Sequence, residues 1–500
     1  MAGFYDTHVR NPLTDENPFR SRTRERSAIP GFRDVRSLLP DPWWTGHETA
    51  IDCWWKVWEL AFRNIKQPTK QNGFVSRYID TAFNDNLFMW DSCFILLFAR
   101  YGSRAFNFQR TLDNLYCKQH SDGFIAREIR ESDGSDCQHR FDPSSTGPNV
   151  LAWTEWEYFL VFNDKKRLKT VFPALAAYHQ WLRKYHTWPD GSYWATGWGC
   201  GMDNQPRLGP DAHFAYDNGH LTWIDACFQQ AFSADLLSRM AVILGRKKEA
   251  ADFRSEADRL TKFVNEKMWD EKTGFYYDLD PEGRTTGVKS VAGFWGLLAG
   301  IVPDGRISQM TGHLEKKSEF NRPHRVPSLA ASHPGYTAGG GYWKGAIWPP
   351  TNYMILRGLT RYGKDDLSHE IAMNHHANVV RVFEKTGTVW ENYAPEKAVP
   401  GNPAKSDFVG WGGVPPVAVF LEYVLGLRPD TPNNTLVWDI RLLEAHGVKR
   451  YPFGKDGLLG LSCKPRDSQS EKPAIEVSSN TKLKLIIKWD KGRKSSLIRI

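Results

Sequence analysis

Twelve stretches of this 500-residue chain carry apolar residues at three- and four-residue spacing, and the connections between them alternate between short and long. The first, over 51–62, reads Ile-Asp-Cys-Trp-Trp-Lys-Val-Trp-Glu-Leu-Ala-Phe. The pattern recurs near 90–102, 104–118, 148–163, 166–186, 221–244, 247–267, 289–301, 305–316, 347–362, 365–385 and 413–426. This period predicts helices of ordinary length. The short connections carry turn signals such as Asn163-Asp164, Gly245 and Gly363-Lys364. The long ones, 119–147, 187–220, 320–346 and 386–412, collect Gly, Trp, Asp and Asn. Loops of that length are either functional or disordered, and these hold too many aromatic residues for disorder. Helical hairpins punctuated in this way predict a mainly α fold: a closed double ring, six inner helices around a pocket, with the long loops gathered at one end. No fixed-period repeat supports an open solenoid.

The flanks differ. Residues 1–47 are rich in Arg, Pro and Asp with little periodicity, which predicts an arm packed on a helical domain at 48–427. Beyond it the segments 435–441, 458–463, 474–478 and 483–489 alternate or run β-rich between turns. A small C-terminal β module over 428–500 is expected, structural in role, with carbohydrate binding the alternative.

Composition narrows the function. The formal charge is +8, with Lys and Arg scattered, so nucleic-acid binding is not indicated. Seven Cys, without close pairs, do not read as a disulfide framework or a zinc site; Cys53, Cys93, Cys117 and Cys227 read as core thiols. No stretch is long and apolar enough to span a membrane. No secretion signal is legible at the start; a cytoplasmic protein is expected, although a processed secreted form would read the same. No cofactor fingerprint appears. The 21 Trp suit stacking against sugar faces, and equally suit large helical cores.

Two isolated carboxylates stand among glycines, aromatics and amides. Asp203 lies in Thr196-Gly-Trp-Gly-Cys-Gly-Met-Asp-Asn-Gln-Pro206, and Glu391 in Thr388-Val-Trp-Glu-Asn-Tyr-Ala-Pro395. Acid/base cleavage of a sugar linkage needs such a pair: one carboxyl held protonated for the leaving oxygen, the other ionised to activate water. Each alone reads as a loop cap or a surface charge. Trp90-Asp91 falls near the start of an inner helix, where the carboxylate can accept sugar hydroxyls and the indole can pack on the ring. Asp122, Gly123 and Arg127 sit in a loop after the next helix pair, and Tyr342, Trp343, Lys344 and Trp348 lead into another inner helix. Trp411 precedes the last one. Trp223 and Asp225 also stand within reach of sugar hydroxyls, and Asp278 with Asp280 alternate as in a hairpin. His213, Asp217 and His220 line the pocket loop more simply than they form a metal site.

In this order the islands resemble the (α/α)6-barrel glycosidases grouped around trehalase, processing α-glucosidase and mannosylglycerate hydrolase, akin to glycoside hydrolase family 63. Trp90-Asp91 matches the family's early Trp-Asp. Gly201-Met-Asp-Asn204 matches its acid-bearing motif, Tyr342 to Trp348 its Tyr-Trp-Arg-Gly-Pro-Ile-Trp, and Glu391-Asn-Tyr393 its base-bearing motif. The resemblance spans about 48–426. It implies an inverting hydrolase without cofactor, with Asp203 as general acid and Glu391 as general base. Substrate contacts would come from Trp90, Asp91, Asp122, Gly123, Arg127, Trp198, Asn204, Tyr342, Trp343, Lys344, Trp348, Tyr393 and Trp411. Two departures stand out: Gly199 replaces the family's Glu, and Lys344 stands where Arg is usual, which loses a planar fork. The expected substrate is a small α-glucoside or α-mannoside in an exo-acting pocket. The rivals are a sugar isomerase or epimerase on a helical toroid, and a non-catalytic carbohydrate-binding protein. Oligomeric state is not legible.

Overall fold

A computed structural model describes residues 9–209 and 212–500; the first eight residues of the expected arm lie outside the described residues. The chain is mainly helical with a C-terminal sheet region. Eleven α-helices carry the frame: α1 (Glu48–Arg63), α2 (Met89–Ala99), α3 (Thr111–Cys117), α4 (Leu151–Phe162), α5 (Lys165–Tyr185), α6 (Ile224–Ile243), α7 (Lys247–Lys267), α8 (Trp295–Ala299), α9 (Asp304–Gly312), α10 (Pro349–Arg361) and α11 (Asp365–Thr386). The last of the twelve expected segments is a π-helix, Val414–Val424. Pro415 and Pro416 bring no N–H to its first turn, and at its end the Leu425 N–H reaches back five residues to Phe420.

Two kinds of helix alternate. Every residue of α2 is buried, as expected of a helix apolar all round. By contrast α7 buries an apolar stripe at helical spacing, Ala250, Phe253, Ala257, Leu260 and Val264, together with Glu256, and leaves most of its other residues to water. Helices of the largely buried kind pack on one another in a cycle: α2 on α4, α4 on α6, α6 on α8, α8 on α10, α10 on the π-helix, and the π-helix back on α2.

The interior of this cycle is filled in layers. Trp90 packs on Phe94 and Trp295 at centroid distances of 4.7 and 6.2 Å. Trp153 follows, 5.8 Å from Phe94 and 6.1 Å from Tyr353. Next comes a buried charge network. Arg100 donates to Glu422 at 2.6 Å, the Tyr101 and Tyr353 hydroxyls each donate to Glu422 at 2.8 Å, and Arg357 donates to Glu157 at 2.7 Å. Arg100 also lies 3.5 Å from Glu157. Two cations thus face two anions across α2, α4, α10 and the π-helix.

The C-terminal strands form two four-stranded sheets. One runs in the order Asp41–Trp44, His446–Phe453, Gly457–Cys463, Ile475–Ser479, all antiparallel. The other runs Lys494–Arg499, Lys484–Trp489, Thr435–Asp439, Leu427–Asp430, with a parallel pair at its centre. The first strand of the first sheet belongs to the N-terminal region, so the β part is built from both ends of the chain. Among the described residues no helix is long and apolar enough to cross a membrane.

Removing one partner of a buried ion pair strands the other charge. Glu422→Ala should therefore cost about 3–5 kcal/mol and lower the thermal unfolding midpoint clearly. Arg284→Ala, at an exposed pair with Asp280, should leave the midpoint where it is.

Candidate active site

Five of the six buried helices are entered from long loops that converge on one pocket. Trp90 and Asp91 open α2; Arg127 and Pro148 come from the loop before α4; Trp198, Gly201 and Asp203 from the loop before α6; Tyr342 and Trp343 from the loop before α10; Glu391 and Trp411 from the loop before the π-helix. Its volume is about 90 Å³, room for roughly six to nine water-sized groups, on the order of one sugar ring.

The acid-bearing loop starts with a one-turn helix, Gly197–Cys200, capped by the Thr196 side chain, which accepts from the Gly199 N–H at 2.9 Å. Gly201 ends it with φ +73°, and a Cβ there would lie 3.0 Å from the Trp90 indole. Glycine is what lets this backbone pass over Trp90. Beyond Asp203 the chain is pinned by Arg207, buried, which donates to Asp225 and Asp278 at 2.6–2.8 Å and packs over Trp223 at 4.2 Å.

Asn204 ties this loop to the opposite wall. Its amide donates to the Gly341 carbonyl at 3.1 Å and its carbonyl accepts from the Trp343 N–H at 2.8 Å, gripping both neighbours of Tyr342. Tyr342 holds a left-handed φ of +63°, a strained conformation for a side-chain-bearing residue, and its hydroxyl donates to Glu391 Oε1 at 3.3 Å. Asp203 and Glu391 are thus joined through Asn204 and Tyr342. The base-bearing loop is fixed as well: Lys405 N–H donates to Glu391 Oε2 at 3.2 Å, and Trp411 Nε1 donates to the Glu391 carbonyl at 2.7 Å.

Three carboxyls share the pocket. Burial raises Asp91 to about 8, helped by the nearby Glu391 and Asp203 charges. Burial raises Glu391 to about 7, opposed by the Lys405 backbone and ammonium and by the Tyr342 hydroxyl. Burial raises Asp203 to about 6, opposed by the Arg127 guanidinium. The rise at Asp203 is the expected one. Glu391, expected ionised, is raised as well, because burial outweighs the Lys405 and Tyr342 contacts that favour its charge. Such a set titrates together: at neutral pH the pocket holds protons on Asp91 and partly on Glu391. Trp90 Nε1 is buried without a partner, close against Gly201.

Not every expected contact residue reaches this wall. Asp122 accepts from Trp181 Nε1 and the Phe124 N–H, both at 3.1 Å, and Gly123, at φ +104°, would place a Cβ 2.4 Å from the Ala177 carbonyl oxygen. Both residues secure a turn against α5, away from the pocket. Lys344 is half-buried and contributes nothing to the lining. Trp348 stacks behind Trp343 at 3.9 Å, and Tyr393, buried, accepts from the Trp390 N–H at 3.2 Å. Asn204 spends its amide on bracing. Trp223 and Asp225 serve Arg207 instead of a ligand, as does Asp278; Asp280 pairs with Arg284. Phe83 and Phe88 line the pocket and escaped the sequence reading, as did Lys405, whose ammonium sits 3.3 Å from the Phe83 ring centroid. Phe88 stands two residues before Trp90, a cue in retrospect; Lys405 has none, since only the Trp390–Ser406 bridge brings it to Glu391.

Paired carboxyls, indole faces and a one-ring pocket define the class: a glycoside hydrolase. Residues 84–411 match the mannosylglycerate hydrolase MGH1-like glycoside hydrolase domain, and the chain belongs to that family. It is 26% identical over 383 residues to an uncharacterized protein of Borreliella burgdorferi, covering 74% of this chain and 78% of that one. It is 24% identical over 379 residues to mannosylglycerate hydrolase of Thermus thermophilus, covering 60% of this chain and 86% of that one. The crystal structure of the GH63 mannosylglycerate hydrolase from Thermus thermophilus in complex with Tris aligns with a TM-score of 0.58 at 20% identity, over 74% of this chain and 99% of that one.

A carboxyl whose folded pKa is raised costs stability as pH climbs from its ordinary value to the folded one. For Asp91 that window runs from 3.8 to about 8. Asp91→Asn should therefore stabilise the protein on the order of 2–5 kcal/mol above pH 8 and by nothing near pH 3; thermal melts at both ends check it.

Proposed function

We propose that the protein is an inverting glycoside hydrolase acting on a small α-linked glucoside or mannoside, with Asp203 as general acid and Glu391 as general base. The cyclic packing of six largely buried helices supports reading the helical body as an (α/α)6 barrel. The observation that carries the proposal is the meeting of Asp203 and Glu391, from loops far apart in sequence, on one pocket with both carboxyls raised.

In this reading the sugar ring sits against Trp90 and Trp343, with Asp91 meeting its hydroxyls. Asp203 gives its proton to the glycosidic oxygen as the bond from that oxygen to the anomeric carbon breaks. A water on the other face forms the new bond to carbon and yields its proton to Glu391. Inversion asks for roughly 6.5–9.5 Å between the two carboxyls. The Tyr342 hydroxyl and the Trp411 indole hold Glu391 in line, and the free sugar emerges first as the β-anomer.

Proton NMR of anomeric signals, with a panel of α-linked glucosides, mannosides and galactosides, tests this. Asp203→Asn and Glu391→Gln should each lose about 10²–10⁴-fold in kcat. Release of the α-anomer first would overturn the inverting assignment, and sugar interconversion without cleavage would point to an isomerase. The rate should also follow a bell in pH. The active form has the pair's one proton on Asp203 with Glu391 ionised, the less populated of the two ways to share it, so activity falls below about 6 as both are protonated and above about 7 as both are ionised, with a narrow maximum between. A flat profile from pH 5 to 9 would contradict the assignment of the pair.

A further inference from the structure

The acid side of the pocket continues outward into a row of aromatic rings. Trp198, which lines the pocket, lies 6.1 Å from Phe214 and 6.4 Å from Tyr216. His213 lies between those two, nearly parallel to both: 5.6 Å and 13° from Phe214, 4.9 Å and 20° from Tyr216. Phe214 is 39% exposed and Tyr216 59%. Contiguous apolar rings left in water on a soluble surface mark a binding surface.

The rings are held on a rigid turn. The Tyr216 and Asp217 N–H groups both donate to the His213 carbonyl at 2.9 Å, and the Asp217 carboxylate accepts from the His213 N–H at 2.6 Å. Buried Ala215 anchors the turn through its carbonyl, which accepts from the Ser144 hydroxyl. The turn also rests on the acid-bearing loop: Trp198 N–H donates to the Phe214 carbonyl at 3.3 Å. A Cβ on Gly197 would lie 2.4 Å from the Asp203 carbonyl oxygen and 2.8 Å from the Phe214 Cβ, so no side chain fits between the two. Whatever positions Asp203 positions these rings.

The general acid stands on the leaving-group side of the bond it cleaves, with the base across the sugar. Rings that extend from the acid loop therefore extend the leaving-group side, and the pocket itself has room for about one ring. We infer that His213, Phe214 and Tyr216 form a stacking platform for the leaving group, and that the substrate carries a second ring, a sugar or other flat-faced aglycone, beyond the bond that is cut. This rests on Asp203 being the acid. A ring there covers apolar faces that are otherwise wet, a gain that a compact leaving group such as glycerol cannot supply.

Wild-type protein, Phe214→Ala, Tyr216→Ala and Tyr216→Phe are assayed on methyl, glyceryl and 4-nitrophenyl α-glucosides and α-mannosides and on α-linked glucose disaccharides, with kcat and KM separated. The wild type should favour ring-bearing leaving groups. Either alanine variant should lower that preference roughly tenfold, through KM, the order that one aromatic face contributes, and Tyr216→Phe should restore it. Cleavage that favours compact leaving groups, or a loss in the alanine variants that is equal for every substrate, overturns the platform while leaving the hydrolase assignment intact. No cleavage of any glycoside overturns the hydrolase assignment itself, and the platform's role with it.

Discussion

The buried pairing of Arg100 and Arg357 with Glu157 and Glu422 decides how the helical cycle is registered. Helices as uniformly apolar as α2 can slide and rotate on one another at small cost, because one buried aliphatic face packs much like the next. Four charges that must find one another across four helices cannot. Each misregistered arrangement leaves an ion unpaired in the interior, and the tyrosine hydroxyls on Glu422 narrow the choice further. The network lies beyond Trp153 from the pocket, so register is set at depth and the loops at the other end inherit it. Tyr342 and Glu391 meet because α10 and the π-helix beneath their loops both belong to this network.

The electrostatics of the pocket follow from enclosure. Three carboxyls buried in one small pocket cannot all be ionised at little cost, and the arrangement distributes the remaining protons by burial and by the cations close at hand. Arg127 favours charge on Asp203, Lys405 favours it on Glu391, and Asp91 has only its own backbone beside a distant share of Arg127. A neutral Asp91 at neutral pH spares the pair the repulsion of a third charge and presents an O–H donor to the sugar.

Periodicity carried the helical frame well, because α7-like stripes and α2-like apolar runs are both written locally; all twelve segments have helical counterparts. It could not tell an α- from a π-helix at Val414–Val424, since the extra residue per turn depends on what the prolines and the neighbouring helices permit. The sheets were legible only in part: Asp41–Trp44 has no strand character apart from its partner at His446–Phe453. At the pocket, tryptophans flanking Asp203 and Glu391 were a usable signal. Asp122-Gly123 carried the same kind of signal and proved a packed turn, because turn chemistry and ligand chemistry draw on the same residues. Asn204 reads identically whether its amide faces a sugar or a neighbouring loop. Phe83 and Lys405 were invisible, being placed by chain crossings that no local pattern records.

The pairing of Asp41–Trp44 with His446–Phe453 also sets an order of events during synthesis. The strand leaves the ribosome before every helix of the frame, yet its partner is not made until all of them have followed. Trp43 and Trp44 must wait, unpaired, through the assembly of every helix hairpin, and contacts of such long separation are the slow ones. Closure of that sheet is a final seam, drawn only once the helical body between its two edges has been laid down, and a nascent chain stalled short of residue 446 carries an open edge with two indoles on it.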